Sequence, residues 1–238
     1  MSSIFEGVEA LTFDCYGTIV DWERGILAAL SPLLSTAEER PSDLRLLEMF
    51  ARFESEAESG SFRSYRRVLT EVAERYGDEL EVQVPRAAAE RFAASVPEWP
   101  LFPDSVDALR ALKGRFRLAV VSNVDDDLFA GSATRLGVDF DEVVTAEQVR
   151  SYKPAAGHFH EVVRRLDLPV RKIVHVAQSL YHDVAPATAL GFACVWVDRR
   201  SGRPGGGATP PAAATPSLAV PDLAALVRET RVRARPPS

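Results

Sequence analysis

Cysteine is nearly absent from this chain, with two residues, Cys15 and Cys194, among 238. They stand far apart and form no Cys-x-x-Cys pair, so a disulfide scaffold is excluded and two buried thiols in a reducing compartment are expected. Histidine is also sparse, and His158, His160, His175 and His182 lack the spacing of a zinc site. No run of about 18 apolar residues occurs, which argues against a transmembrane helix. The opening MSSIFEGVEA has no basic stretch leading into an apolar one. No secretory signal is therefore expected, and the reading is cytoplasmic. Basic charge is short as well. The formal net charge is −6, and an acidic chain without a basic face binds nucleic-acid phosphates poorly. Neither nucleic acid nor membrane is an expected partner.

The remainder is a globular mixture. Hydrophobic residues make up 46% and charged residues 26%, which is too apolar for a disordered chain. Residues Val8 to Phe13 form a short apolar run ending in Asp14, with the turn residue Gly17 close behind, and this predicts a buried strand running into a loop. From Trp22 to Val96 the pattern changes. Leu46, Met49, Phe50 and Phe53 recur at helical spacing, as do Tyr65, Val68, Leu69, Val72 and Tyr76. No strand is expected there, so the segment reads as an all-helical insert.

After Pro97-Glu98-Trp99-Pro100 the chain alternates. Asp104 is placed to cap a helix carrying Val106, Leu109 and Leu112. Leu118 to Val121 is a strand. Asp125 to Leu136 is a helix closed by Gly137. Val143-Val144 is a weak strand, Gly157 to Leu166 a helix, Ile173 to Ala177 a strand, Val184 to Leu190 a helix and Cys194 to Val197 a strand. Ser201 to Pro216, rich in Gly, Pro, Ala and Thr, reads as a mobile loop, and Asp222 to Arg228 as a last helix.

Strand–helix alternation implies an α/β fold, a Rossmann-like parallel sheet with helices on both faces. The expected organisation is a discontinuous core of residues 1–20 and 100–230, an inserted all-helical cap of residues 21–99, and a flexible tail of residues 231–238. Ligands of open α/β sheets bind beyond the carboxyl ends of the strands. Asp14 to Thr18, Ser122-Asn123 and Gln178 to Asp183 fall at such ends, and Ser151-Tyr152-Lys153-Pro154 lies in a loop entering a helix. The four clusters are expected to converge on one crevice beneath the insert.

These clusters resemble the motifs of a known family. Phe13-Asp14-Cys15-Tyr16-Gly17-Thr18 resembles the first motif of the haloacid dehalogenase superfamily, Val121-Ser122-Asn123 the second, Lys153-Pro154 the third, and Ser179 through Asp183 the fourth. The intervals from Asp14 to Ser122, to Lys153 and to Asp183 are 108, 31 and 30 residues. That order suits the branch with a helical cap after the first motif.

Within the superfamily the pattern is closest to the L-2-haloacid dehalogenases. Phosphatases of the superfamily carry a second aspartate two residues after the nucleophile, to protonate the leaving oxygen. Tyr16 stands there instead, and a phenol with a pKa of roughly 10 fills that role poorly near neutral pH. A departing halide needs no proton. Gln178 also replaces an acidic residue that many phosphatases have before Ser179, which weakens the attraction for magnesium.

The resemblance implies that Asp14 is a carboxylate nucleophile, that Lys153 keeps it ionised and that Asp183 orients Lys153. Thr18 and Ser122 hydrogen-bond Asp14 or the substrate. The Cys15 and Tyr16 amides form an anion nest, and Asn123 and Ser179 face the substrate. It implies a small carboxylate substrate and no cofactor; a magnesium ion on Asp14 and Asp183 belongs to the alternative of a phosphatase. A non-catalytic relative is the third reading, and an apolar insert is compatible with a homodimer.

The pattern departs from the dehalogenases at several points. They hold the halide with a cap arginine, for which Arg45, Arg52, Arg63, Arg66 and Arg67 are candidates. Phe159 replaces their tyrosine, and Leu180 their asparagine. Plainer roles exist for several residues. Ser122-Asn123 and Asp183 can cap helices, Asp125 to Asp127 are acids at a helix start, and His158 and His160 read as a partly exposed helix face.

Overall fold

The computed structural model describes residues 4–203 and 205–230. Six strands, β1 (Ala10–Phe13), β2 (Arg117–Ser122), β3 (Glu142–Thr145), β4 (Ile173–Ala177), β5 (Ala193–Val197) and β6 (Leu218–Val220), form one sheet in the order β3-β2-β1-β4-β5-β6. Every pairing is parallel. A buried parallel sheet needs apolar side chains on both faces. On one face Leu11, Phe13, Leu118 and Val174 pack with Leu109 and Leu112 of α5 (Ser105–Lys113) and with Leu223 and Leu226 of α10 (Leu223–Glu229). On the other, Ala10, Ala119, Val121 and Ile173 meet Phe159, Val162 and Leu166 of α8 (Gly157–Leu166) and Ala187 of α9 (Ala185–Ala189). The expected α/β class is the observed one.

Between β1 and α5 the regular elements are all helical: α1 (Trp22–Leu33), α2 (Asp43–Glu58), α3 (Tyr65–Glu79) and α4 (Arg86–Ala94), with a short 3-10 turn at Val96–Glu98. The periodic residues Leu46, Met49, Phe50 and Phe53 of α2 are buried, as are Tyr65, Val68, Leu69, Val72 and Tyr76 of α3. Burying each such side chain is worth roughly 1.5–3 kcal/mol, far more than helix propensity supplies. The two connections to the sheet are tied together: Asp21 N donates to Pro100 O at 2.7 Å and Phe102 N to Ile19 O at 3.1 Å. None of the described helices is long and apolar enough to cross a membrane.

Trp99 lies against Gly25 at this junction. A Cβ on Gly25 would sit 2.3 Å from Trp99 Cγ, and the ring cannot yield, being 3% exposed. Alanine in place of glycine gains up to about 1 kcal/mol of helix propensity, but overpacking a buried site costs about 1–3 kcal/mol. Gly25→Ala is therefore expected to lower the melting temperature; an unchanged or raised value would refute this packing.

Several local expectations are corrected. Asp104 does not cap α5. Its carboxylate accepts from Leu223 N and Ala224 N at 2.7 and 3.2 Å, capping α10, and pairs with Arg199 at 2.8 Å. Asp125 to Asp127 do stand at the start of α6 (Asp126–Leu136), but the Asp125 carboxylate makes no cap there and accepts from Tyr65 N and Arg66 N at 2.8 and 2.9 Å. A core carboxylate thus caps a helix of the insert across the crevice. Ser122-Asn123 caps neither. His158 is fully buried rather than partly exposed, and burial lowers its pKa to about 3. The described residues of 201–216 form a loop as expected, but one that packs on the insert, with Ala208 and Thr209 buried and Ala208 N donating to Glu23 Oε1 at 3.2 Å, and the short strand β6, which the sequence reading lacks, follows it. A one-turn helix, α7 (Ala146–Val149), was not expected either. The tail of residues 231–238 lies outside the described residues.

Candidate active site

Strand β1 is central, with β2 on one side and β4 on the other. The chain winds from β1 to β2 and β3, then returns to β4 on β1's opposite flank. That reversal opens a crevice beyond the carboxyl ends of the strands, where Asp14 lies. Its amide donates to Val176 O at 3.0 Å, which carries the ladder one residue past β1 and holds the backbone rigid. Cys15 O then accepts the amides of Ile19 and Val20 at 2.8 and 3.0 Å, folding the chain back on itself. Gly17 makes this possible: its φ is 96°, and a Cβ there would stand 2.9 Å from Trp22 Nε1. The turn returns Thr18 to Asp14, and its hydroxyl donates to Asp14 Oδ2 at 2.7 Å while accepting from Gln178 N at 2.9 Å.

Lys153 is 1% exposed. Its ammonium donates to Asp14 Oδ1 at 2.9 Å, Asp183 Oδ1 at 2.7 Å and Val121 O at 3.0 Å. Three hydrogens meet three acceptors, so no donor of Lys153 is left for a ligand. Asp183 sits in a π-helical turn, Leu180–Val184, after β4. Its Oδ1 also lies 3.1 Å from His175 Nε2, and His175 Nδ1 lies 2.9 Å from Thr12 Oγ1. The arrangement suits a ring that donates from Nε2 to Asp183 and accepts the Thr12 hydroxyl at Nδ1.

The charges follow from burial and pairing. Burial disfavours the Lys153 ammonium, but Asp14 and Asp183 outweigh it and push its pKa above the ordinary lysine value. Burial likewise works against ionised Asp183, yet Lys153 and His175 hold that carboxyl below the usual range. For Asp14 burial is the larger influence and lifts its pKa, with Lys153 and Thr18 pulling against it. An ion-paired carboxylate stripped of water is a stronger nucleophile than a hydrated one.

The other expected site residues divide. Ser122, Asn123, Ser179 and Tyr16 all line the chamber beside Asp14. Ser122 Oγ is buried and makes no hydrogen bond among the described residues. The Cys15 and Tyr16 amides have no backbone acceptor among those residues. The Asn123 side chain, however, is spent on Lys153: its Oδ1 accepts from Lys153 N at 2.7 Å and its Nδ2 donates to Lys153 O at 3.1 Å. It positions the lysine loop. The Tyr16 hydroxyl points away to Ser132 Oγ at 2.8 Å, and burial holds its pKa well above 10. It is no substitute for the missing second carboxylate. Ser179 accepts from His182 N at 2.8 Å and orders the turn that carries Asp183.

Four residues of the lining do not follow from the sequence reading: Trp22, Glu54 and Tyr65 of the insert, and Val124 after β2. His182, within the expected Gln178–Asp183 cluster, completes the chamber. Burial lowers the His182 pKa to about 4, so it is neutral near pH 7. The anticipated arginine is not in the lining. Arg45 and Arg52 pair with Glu79, Arg63 with Glu71, Arg66 with Asp127, and Arg67 is exposed. One signal for Glu54 stood in the sequence. It lies four residues after Phe50 and three before Ala57, so a carboxyl occupies the apolar stripe of α2.

Asp14 and Asp183 each give an oxygen to Lys153, and no group of three His, Cys, Asp or Glu able to hold a metal occurs among the described residues. An ammonium between the two carboxylates also repels a cation.

A model of the haloacid dehalogenase-like hydrolases matches residues 8–191. The (S)-2-haloacid dehalogenase 1 of Pseudomonas sp. (strain CBS-3) is 24% identical over 195 residues, covering 81% of this chain and 85% of that one. The glyceraldehyde 3-phosphate phosphatase of Methanothermobacter thermautotrophicus is 33% identical over 100 residues, but over only 41% of this chain and 44% of its own. The solved structure of the L-2-haloacid dehalogenase from Xanthobacter autotrophicus superposes with a TM-score of 0.79 at 19% identity, over 94% of this chain and 98% of that one.

Proposed function

The chain belongs to the haloacid dehalogenase-like hydrolase family, and we propose that within it this protein hydrolyses the carbon–halogen bond of a small 2-haloacid, with Asp14 as the nucleophile. The observation that carries this reading is the Lys153 ammonium, buried between Asp14 and Asp183, beside a Tyr16 hydroxyl turned away from the chamber. That is a site with an activated carboxylate and no proton donor next to it on the core side.

An ionised Asp14 oxygen attacks the carbon bearing the halogen, an ester forms and halide departs with the bonding pair. Water then attacks the ester carbonyl and regenerates Asp14. Ser122 Oγ and the Cys15 and Tyr16 amides supply hydrogen-bond donors for the substrate carboxylate. Asp183 and His175 hold Lys153 in place. Residues 21–99 act as the cap, which opens to admit substrate and closes to exclude water.

No step runs through a metal. Halide release from chloro- and bromoacetate and from both 2-chloropropionates is expected to continue unchanged in excess EDTA. Release that stops on chelation and returns with magnesium would contradict this.

A second reading, a phosphatase, is favoured by the partial match to the archaeal phosphatase. Magnesium-dependent hydrolysis of a nitrophenyl phosphate, with no halide from any acid, would support it over the first.

A further inference from the structure

The chamber holds one acid for which the reading above has no use. Glu54 reaches in from α2, 3% exposed, and its Oε1 accepts the Tyr65 hydroxyl at 2.5 Å. Its other oxygen, Oε2, makes no hydrogen bond among the described residues, although Glu54 lines the same chamber as Asp14. The expected arginine is absent from that lining, and every hydrogen of Lys153 is committed. The insert therefore presents a carboxyl, and no cation, to the leaving group.

We propose that Glu54 is a catalytic acid and base supplied by the cap, and that the substrate's leaving atom accordingly accepts a proton: fluoride, the most basic of the halides, on a small carboxylic acid. This rests on the haloacid reading and narrows it. In the first half-reaction Asp14 bonds to carbon and the carbon–fluorine pair moves to fluorine. Fluorine takes the Oε2 proton of Glu54, leaving as hydrogen fluoride, which ionises on reaching water, and Glu54 becomes a carboxylate. In the second, water adds to the Asp14 ester carbonyl and gives its proton to Glu54. The ester bond breaks, releasing the hydroxy acid and restoring both side chains. Acid and base are one residue used in sequence.

Two observations favour this role. The Tyr65 hydroxyl occupies Oε1, which leaves Oε2 as the protonated oxygen facing the chamber. The surroundings keep that proton: burial, reinforced by the Asp14 charge and offset by the Tyr65 hydrogen bond, lifts the Glu54 pKa to about 8. The groups facing Glu54 are Glu58 on its own helix, Tyr65 and Tyr76 on α3, Tyr152 and Lys153 after α7, and Asp14 after β1. Lys153 is the one cation among them, and its charge is matched by Asp14 and Asp183.

The test compares fluoride release from fluoroacetate with bromide release from bromoacetate, for wild type and Glu54→Gln. Glutamine keeps the shape and the acceptor for Tyr65 but cannot transfer a proton. In a single turnover with enzyme in excess, which reads the first half-reaction alone, fluoride release is expected to fall about 100-fold or more and bromide release by less than about 10-fold, since bromide leaves without a proton. Wild-type fluoride release should decline on the alkaline side near pH 8. Equal losses on both substrates, or none, would overturn the proposal.

A second readout needs no turnover. The infrared spectrum of the wild type at pH 7 should contain a protonated-carboxyl band that is missing in Glu54→Gln and fades above pH 8. Its absence overturns the proposal whatever the substrate. The band present with no halide from any acid overturns the haloacid reading instead.

Discussion

Lys153→Met is expected to lose at least about 1,000-fold in activity and several kcal/mol in stability together. The ammonium is 1% exposed and stands 2.9 Å from Asp14 and 2.7 Å from Asp183. Removing it leaves two buried carboxylates without a counter-charge, and breaking a buried pair in this way costs about 3–5 kcal/mol. Burial is already the largest influence on Asp14 and raises its pKa. Without Lys153 that influence and the Asp183 charge act in the same direction, Asp14 holds its proton near neutral pH, and the nucleophile is lost.

The sign of the pH dependence separates the two proteins. In wild type the folded pKa of Asp183 is depressed, so its contribution to stability is full above the unfolded value of about 3.9 and is lost as pH falls through the folded one. In Lys153→Met the folded carboxyl pKa values are raised, so stability declines as pH rises above that value. Chemical denaturation at pH 5 and pH 8 should show the variant weaker at pH 8. Equal loss at both values would mean that charge is not what Lys153 contributes.

Asp14→Asn is expected to lose more activity, at least about 10,000-fold, with stability equal to or above that of wild type. The contrast comes from the charge count. Asparagine removes one buried anion and leaves Lys153 paired with Asp183, so no charge is stranded. It still accepts from Lys153 through its carbonyl oxygen. A variant that loses activity only because it is misfolded would lose stability as well, and the thermal melt distinguishes the two.

Much of this site is written in short runs of sequence. The strand-end positions of Asp14, Ser122 and Asp183 follow from apolar runs that stop at polar residues, and the parallel sheet makes those ends meet. Gly137 after α6 and the helical stripes of α2 and α3 were legible for the same reason, because their signals lie within one or two turns. What was not legible depends on partners distant in sequence. Asp104 and Asp125 both precede a helix, yet each caps a different one, 119 and 60 residues away. Local spacing offers a carboxylate its nearest helix, whereas packing decides which helix end arrives without a partner. A histidine pair on a helix is ordinarily solvated and so reads as partly exposed; His158 is instead buried against the end of β2, with its Nε2 3.1 Å from Ser122 O.

The substrate-facing wall was the least readable part. Asn123 and Tyr16 stand in motif positions, but their side chains serve Lys153 and Ser132. A motif gives a residue's place along a strand end and not the direction of its side chain. The insert's contribution depends on which residues of α2 and α3 meet the crevice, and arginine drew attention through the resemblance. The acid in the α2 stripe was the better clue: an ionisable group on a buried face costs several kcal/mol unless it is paired or neutral, so it marks a site before any partner is known.

The central claim is that Asp14 forms the covalent bond. The most direct measurement is a single turnover in isotopically labelled water with enzyme in excess over 2-haloacid, followed by mass analysis of the peptide that contains Asp14. The account predicts heavy oxygen in the Asp14 carboxylate, because water attacks the ester carbonyl: its oxygen stays with the protein, and the Asp14 oxygen that had bonded to the substrate carbon leaves in the hydroxy acid. Label confined to the hydroxy-acid product would mean that water attacks the substrate carbon itself, and would contradict it.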